Sequence, residues 1–247
     1  MMNLNVAVQP LVALSTSEIA GYEALARPDG AEVAPATLFT AAVAGGWIAD
    51  LELGLAKRAF AASTSLLTRG QRLFLNVHPA ALDTPGFAKR LLRDCFCMSR
   101  IVVEVTEQGP IAKPEVALAN IEELRGAGAL FALDDFGSGY AHMRWLHDIR
   151  PQFIKIAQSI ATDFEQAPWR RSVVRNVQSF AKEVGCAVIA EGIETAETAE
   201  AARAMGVEYG QGYFFGRPAI SEYSSSCGTS PSRGRSSTSI TSSTSPR

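Results

Sequence analysis

Residues 130–140 read LFALDDFGSGY, and this stretch decides the fold. Four apolar residues, 130–133, run straight into the acid pair Asp134-Asp135, and a glycine-rich turn follows. A short apolar run without alternation reads as a strand buried on both faces, the kind found in parallel sheets. Its polar end then sits on the rim of the sheet. Upstream, residues 114–126 carry a helical pattern that opens on Pro114 and has Gly128 beyond it as a stop. Downstream, a helix is expected after Ser138, and a strand at 153–156. Strand, helix and strand at this spacing form a βαβ unit.

The same unit recurs on both sides. Strands are expected at 73–77, 101–105, 187–190 and 209–215, with helices at 35–44, 47–67, 85–96, 169–184 and 195–205, and Gly185 stands as a C-cap. At the front, residues 5–14 and 19–25 bracket the polar turn Ser15-Thr16-Ser17 and read as a hairpin. About seven parallel strands after an opening hairpin predict an α/β fold, a (β/α)8 TIM-like barrel.

The apolar runs end in polar groups. These are Glu23 in IAGYEALAR, Asn76 in LFLNVHP, Glu104 in IVVEVTE, Asp134 and Asp135, Lys155 in FIKI, Glu191 in AVIAEGIE and Gln211 in YGQGYFFGRP. Barrel enzymes keep their chemistry at the carboxyl ends of the strands. Any one such acid is as readily an N-cap of the next helix, Asp134-Asp135 a turn and Lys155 a solvated end. Local roles of this kind do not predict the whole ordered set.

Composition agrees with one catalytic-sized domain: 247 residues, 47% hydrophobic and 19% charged. The formal charge is −2, and residues 1–220 hold 20 basic against 24 acidic side chains, so there is no basic footprint for long nucleic acid. A rim that gathers several carboxylates needs bound cations to offset its own charge. Cys95, Cys97, Cys186 and Cys227 form no C-x-x-C pair and read as free thiols in a reducing cytosol. The first residues, MMNLNVAVQPLVAL, lack a basic region and a cleavage site, and no apolar run approaches the ~20 residues of a membrane span. A cytoplasmic location is expected. His78, His142 and His147 read as structural or solvated, and Trp47, Trp145 and Trp169 as packing residues. Residues 221–247, almost all Ser, Thr, Gly, Pro and Arg, read as a disordered tail behind a domain at 1–220.

Taken in order, the motifs resemble those of the EAL domain, the bacterial phosphodiesterase module for cyclic di-GMP. Glu23-Ala24-Leu25 with Arg27 is similar to the naming motif; Glu104-x-Thr106-Glu107, Asp134-Asp135-Phe136-Gly137-x-Gly139, Lys155-Ile156, Glu191-Gly192-x-Glu194 and Gln211-Gly212-Tyr213 match the others. The resemblance implies a barrel whose first strand is antiparallel to the rest, and two divalent cations, Mg²⁺ or Mn²⁺. By the same resemblance Glu23, Asn76, Glu104 and Asp134 are ligands of one ion, and Asp134 (bridging), Asp135 and Glu191 of the other. A donor set without thiolate or imidazole suits hard cations. Lys155, Glu191, Gln211 and Glu107 are the implied catalytic set, Lys155 acting on the attacking water and Gln211 positioning water or substrate. Glu107 and the DFGSG glycines would hold the loop after Asp135 that couples dimer contacts to the metals. Leu25, Arg27 and Gln211 are the implied substrate-binding residues, Arg27 forking onto a phosphate oxygen. The implied reaction is hydrolysis of cyclic di-GMP to linear pGpG, by a homodimer. Two departures stand out: Ala157 replaces the Asp usual after Lys-Ile, and Pro28 and an Ala-rich first helix replace the usual Trp and acidic residue. Ala157 motivates the alternative of a catalytically weak EAL domain that serves as a cyclic di-GMP receptor or protein-interaction module.

Overall fold

The computed structural model describes residues 4–28, 34–95, 97–106, 111–137 and 142–220. It opens on the hairpin, β1 (Leu4–Ala13) against β2 (Ile19–Pro28), with Gln9 opposite Glu23 and Leu11 opposite Gly21. From β2 onward each strand lies parallel to the next: β3 (Arg72–Val77), β4 (Ile101–Val105), β5 (Leu130–Phe136), β6 (Phe153–Ile156), β7 (Ala187–Ala190) and β8 (Tyr209–Gln211). β8 then pairs antiparallel with β1, Leu11 opposite Gln211, and the barrel closes. This is the expected TIM-like barrel with a reversed first strand. A ninth strand, β9 (Ala219–Ile220), was not expected; it pairs with Ala7 and Val8 on the edge of β1 that β8 leaves open.

Around the barrel run α1 (Pro35–Ala44), α2 (Ile48–Leu66), α3 (Pro79–Leu82), α4 (Phe87–Asp94), α5 (Pro114–Gly126), α6 (His142–Ile149), α7 (Gln158–Ala161), α8 (Pro168–Val184) and α9 (Ala196–Ala204). Their apolar stripes face the strands: Ala117, Ile121 and Leu124 of α5 are buried at i, i+4, i+7, and Val174, Val177 and Ala181 of α8 at i, i+3, i+7. α8 stops at Gly185, whose left-handed φ of 76° suits glycine. The one-turn helices α3 and α7 escape sequence reading because four residues cannot show a 3.6-residue period.

A second core fills the barrel itself. Leu11, Phe74, Val102, Ala132, Phe153 and Ile189 plug its middle, with Phe153 edge-on to Phe74 at 5.5 Å and to Tyr209 at 5.9 Å between ring centroids. Each large side chain buried here stabilises the fold by roughly 1.5–3 kcal/mol. The plug leaves the strand ends as the place where polar groups can gather.

Two strand limits differ from expectation. β5 runs through both acids to Phe136 rather than stopping at Leu133, because the acids sit in a bulge of the strand. The last barrel strand stops at Gln211, not at 215: the backbone turns at Gly212, where the amides of Phe215 and Gly216 donate to its carbonyl at 3.1 and 3.2 Å. Trp169 is no packing residue; it is 61% exposed, with the Arg170 guanidinium over its ring. The side chains of His142 and Trp145, and the whole of residues 221–247, lie outside the described residues. Among the described residues no helix is long and apolar enough to cross a membrane.

Candidate metal centre

Side chains two apart on a strand share a face. One step above the plug residues Phe74, Val102, Ala132, Phe153 and Ile189 therefore stand Asn76, Glu104, Asp134, Lys155 and Glu191. Gln211 follows Tyr209 and Glu23 follows Gly21 by the same step; β1 runs the other way, so its polar residue precedes Leu11 and is Gln9. Period 2 across a closed barrel thus turns one polar residue per strand into a ring.

Lys155 is the centre of the ring. Its ammonium, 1% exposed, lies 2.8 Å from Glu191 Oε1, 3.1 Å from Glu104 Oε1, 3.1 Å from Asp134 Oδ1 and 3.3 Å from Glu23 Oε2. Around Glu23 the amides close in: Asn76 Nδ2 donates to Oε1 at 2.6 Å, and Gln211 Nε2 to Oε2 at 2.6 Å. Asn76 thereby keeps its carbonyl oxygen as an acceptor. Glu104 Oε1, Asp134 Oδ1 and Gln211 Oε1 are buried without a hydrogen-bond partner among the described residues. The first two reach Lys155 only at ion-pair distance, outside hydrogen-bond geometry.

Asp134 and Asp135 are neighbours, so a regular strand would send them to opposite faces. The register between β5 and β6 slips between Leu133 and Phe136, and Asp135 takes a left-handed φ of 56°. Aspartate tolerates that region better than most residues. The bulge brings both acids to one rim: ligand oxygens of Asp134, Asp135 and Glu191 lie within 4.8 Å of one another.

Five carboxylates around one ammonium leave an excess of negative charge, and the titration behaviour records it. Burial pushes Glu104 well above the usual carboxylate range, with Glu23 repelling it and Lys155 only partly offsetting both. Burial likewise pushes Glu191 up to about 8, against the pull of Lys155. Glu23 is lowered, although burial opposes this, because Lys155 and the Gln211 and Asn76 amides favour its charged form. Burial pulls Lys155 down, but Asp134, Glu104, Glu191 and Glu23 outweigh it and hold the ammonium well above its ordinary range. Without another cation the cluster must take up protons. Buried, unsatisfied carboxylate oxygens that converge on one place, with an amide oxygen and no thiolate or imidazole, fit hard divalent cations.

Leu25 and Arg27 stand farther along β2. They line a cavity of about 890 Å³ that also reaches Glu23, Asn76, Asp134 and Asp135. Arg27 donates back to the carbonyl of Ala26 at 2.9 Å. Glu107 lies outside the described residues. The side-chain caps among the described residues come from elsewhere: His78 caps α3, its Nδ1 accepting from the Ala80 amide at 3.0 Å, as its structural reading expected, and Thr195 caps α9. Ala157 occupies the N-cap position of α7 with no side-chain bond to offer.

Two residues were missed from sequence. Gln9 belongs to the ring and is legible from hairpin register, since it sits opposite Glu23. Glu52, 4% exposed on α2, accepts from the His78 amide at 2.8 Å. No sequence signal separates it from the surface acids of a helix.

Residues 2–218 match the EAL domain family. The probable cyclic di-GMP phosphodiesterase PdeG of Escherichia coli K12 is 30% identical over 220 residues, 85% of this chain and 43% of that protein. Cyclic di-GMP phosphodiesterase RocR of Pseudomonas aeruginosa is 30% identical over 219 residues, 85% of this chain and 56% of that protein. The chain spans about half the length of these relatives. Among solved structures, Klebsiella pneumoniae BlrP1 in a calcium/cy-diGMP complex gives a TM-score of 0.77 at 27% identity, over 88% of this chain and 56% of that one. Its manganese/cy-diGMP complex at pH 9.0 gives 0.77 at 26% identity, over 90% and 60%. A match over nearly the whole described barrel, with the acid ring at its carboxyl end, means that the chain belongs to the EAL domain family.

Proposed function

We propose that this domain hydrolyses cyclic di-GMP to linear pGpG with two divalent cations, Mg²⁺ or Mn²⁺. The observation that carries the reading is the charge imbalance of the ring: Glu23, Glu104, Asp134, Asp135 and Glu191 outnumber the single Lys155 by four charges, which two divalent ions offset. Glu23, Asn76, Glu104 and Asp134 would hold one ion; Asp134, Asp135 and Glu191 would hold the other. Bound there, the ions supply Lewis-acid stabilisation of phosphoryl charge and acidify water.

The residues divide the remaining work. Lys155, held protonated by four acids, is a fixed positive charge that orients the attacking water and offsets charge developing on the phosphate. Gln211 keeps Oε1 as an acceptor for a water or substrate O–H. Leu25 and Arg27 line the cavity that the dinucleotide would enter, Arg27 exchanging its bond to Ala26 for a phosphate oxygen.

Incubation with cyclic di-GMP and Mn²⁺ or Mg²⁺, followed by chromatography of the products, tests the reading. Linear pGpG is expected with either ion, none in excess chelator, and inhibition by Ca²⁺, whose bonds are longer and looser. Binding of cyclic di-GMP without metal-dependent cleavage would replace the enzyme by the receptor, the reading that Ala157 favours. A cytoplasmic location and a homodimer belong to the same proposal.

A further inference from the structure

Gln9 sits in the ring without a role in the hydrolysis described above. Its Nε2 donates to the backbone carbonyl of Gly216 at 3.0 Å, and its Oε1 accepts from Gln211 Nε2 at 3.2 Å. A carbonyl only accepts, so Gly216 decides which end of the Gln9 amide faces it. The oxygen of Gln9 is thereby turned to Gln211. Glu23 Oε2 faces Gln211 as well, at 2.6 Å. Between two acceptors Gln211 must present its NH₂, and both protons are used. The consequence is the buried Gln211 Oε1 with no hydrogen-bond partner among the described residues.

The carbonyl that starts this relay is itself held in place. Gly216 ends the turn after β8, and its amide donates to the carbonyl of Gly212 at 3.2 Å. Gly212 lies so close to Ile193 that a Cβ there would come within 2.1 Å of the Ile193 carbonyl. Ile193 accepts from Phe214 and donates to the carbonyl of Gln211, both at 3.0 Å. On its other side Gly216 packs against Pro10, leaving 2.8 Å between a hypothetical Cβ and Pro10 Cγ. The turn is clamped between β1 and the segment after Glu191.

We propose that Gln9 is a positioning residue that fixes the amide of Gln211, so that Gln211 Oε1 is the acceptor for an O–H of the attacking water or substrate. The proposal rests on the hydrolase reading. Gln9 acts only through Gln211 and touches no reacting atom, which gives it a signature distinct from a structural role.

The test compares Gln9→Leu, Gln9→Met, Gln211→Leu and the double variant Gln9→Leu/Gln211→Leu in the full chain. Gln9→Leu and Gln9→Met should lower the single-turnover rate of cyclic di-GMP cleavage at least tenfold, with cyclic di-GMP and Mn²⁺ affinities, measured by calorimetry, within threefold of the parent. The double variant should be no more than twofold slower than Gln211→Leu, because the second change removes a group whose target is already gone. Multiplicative losses would overturn the proposal. A second readout does not need activity: the Gln211 side-chain amide protons, followed by NMR, should exchange slowly in the parent and fast in Gln9→Leu or Gln9→Met. Should the parent not cleave the dinucleotide, the hydrolase reading fails on that result, and unchanged Gln211 exchange in both Gln9 variants overturns the relay independently.

Discussion

Replacing Glu52 by Gln should make the protein more resistant to alkaline unfolding. Glu52 is buried on α2 and its carboxyl is pushed up to about 8 by that burial, the His78 amide offsetting only part of the cost. The unfolded chain carries an ordinary carboxyl, near 4.5. Between these values the folded state holds a proton that the unfolded state has released, so stability falls as pH rises through the window from 4.5 to about 8. A shift of this size is worth at most roughly 5 kcal/mol, at about 1.4 kcal/mol per pH unit. In Glu52→Gln the slope disappears, while the oxygen that accepts from His78 is kept. The new amide brings its own cost of about 1–3 kcal/mol if its NH₂ finds no partner, but that cost is independent of pH. The diagnostic is therefore the difference between variant and parent, not either curve alone. At roughly 2–4 °C per kcal/mol for a domain of this size, Tm of the variant relative to the parent should rise by up to about 10–20 °C between pH 4 and pH 9. The site acids titrate in both proteins and cancel in the difference. Calorimetric scans of the metal-free protein across that range give the measurement; two parallel Tm curves would refute the buried, protonated Glu52.

Three further outcomes follow from the ring. Glu23→Ala should leave less than a tenth of the parent's cleavage, and should lower Tm of the metal-free protein by a few degrees because the Asn76 and Gln211 amides lose their acceptor; higher residual activity sinks the ligand assignment. Lys155→Ala should depress kcat at least a hundredfold with a much smaller change in dinucleotide affinity, and should destabilise the metal-free protein by about 3–5 kcal/mol because its buried acids lose their cation; an unchanged Tm without metal would contradict the hub seen here. Ala157→Asp should supply the missing cap of α7, worth about 0.5–2 kcal/mol, and should raise kcat if the absent acid limits the site, which single-turnover rates on parent and variant decide.

The barrel was legible because each strand carries its own evidence. Runs such as IVVEV and FIKI are too short and too apolar to be anything but buried strands, and their spacing by helices leaves few topologies. What failed were the places where three-dimensional contact sets the limit of an element. β8 ends at Gln211 because the Ile193 backbone lies against Gly212, a contact that residues 209–215 do not announce. β9 exists because β8 leaves one edge of β1 unpaired, and two residues carry no pattern of their own.

The site shows the same division more sharply. Strand-end position and period 2 find Glu23, Asn76, Glu104, Asp134, Lys155, Glu191 and Gln211, since in a closed barrel the residues two positions beyond the plug must share a ring. The same rule, with the sign reversed for an antiparallel strand, finds Gln9, provided the hairpin register is worked out rather than the strand simply named. Asp135 breaks the rule: its presence on the same rim depends on a bulge and a left-handed backbone, which neighbouring acids do not specify. Glu52 lies beyond any such rule, because helical periodicity tells which face is buried but not that a buried carboxyl will be held neutral beneath a loop from another strand. Charge follows the same logic. Read along the chain, Lys155 is one cation after an apolar run, and only ring closure makes it the partner of four acids at once. The excess of negative charge is therefore a property of the closed ring: each strand supplies one polar residue and β5 a second, and none of them alone is unusual.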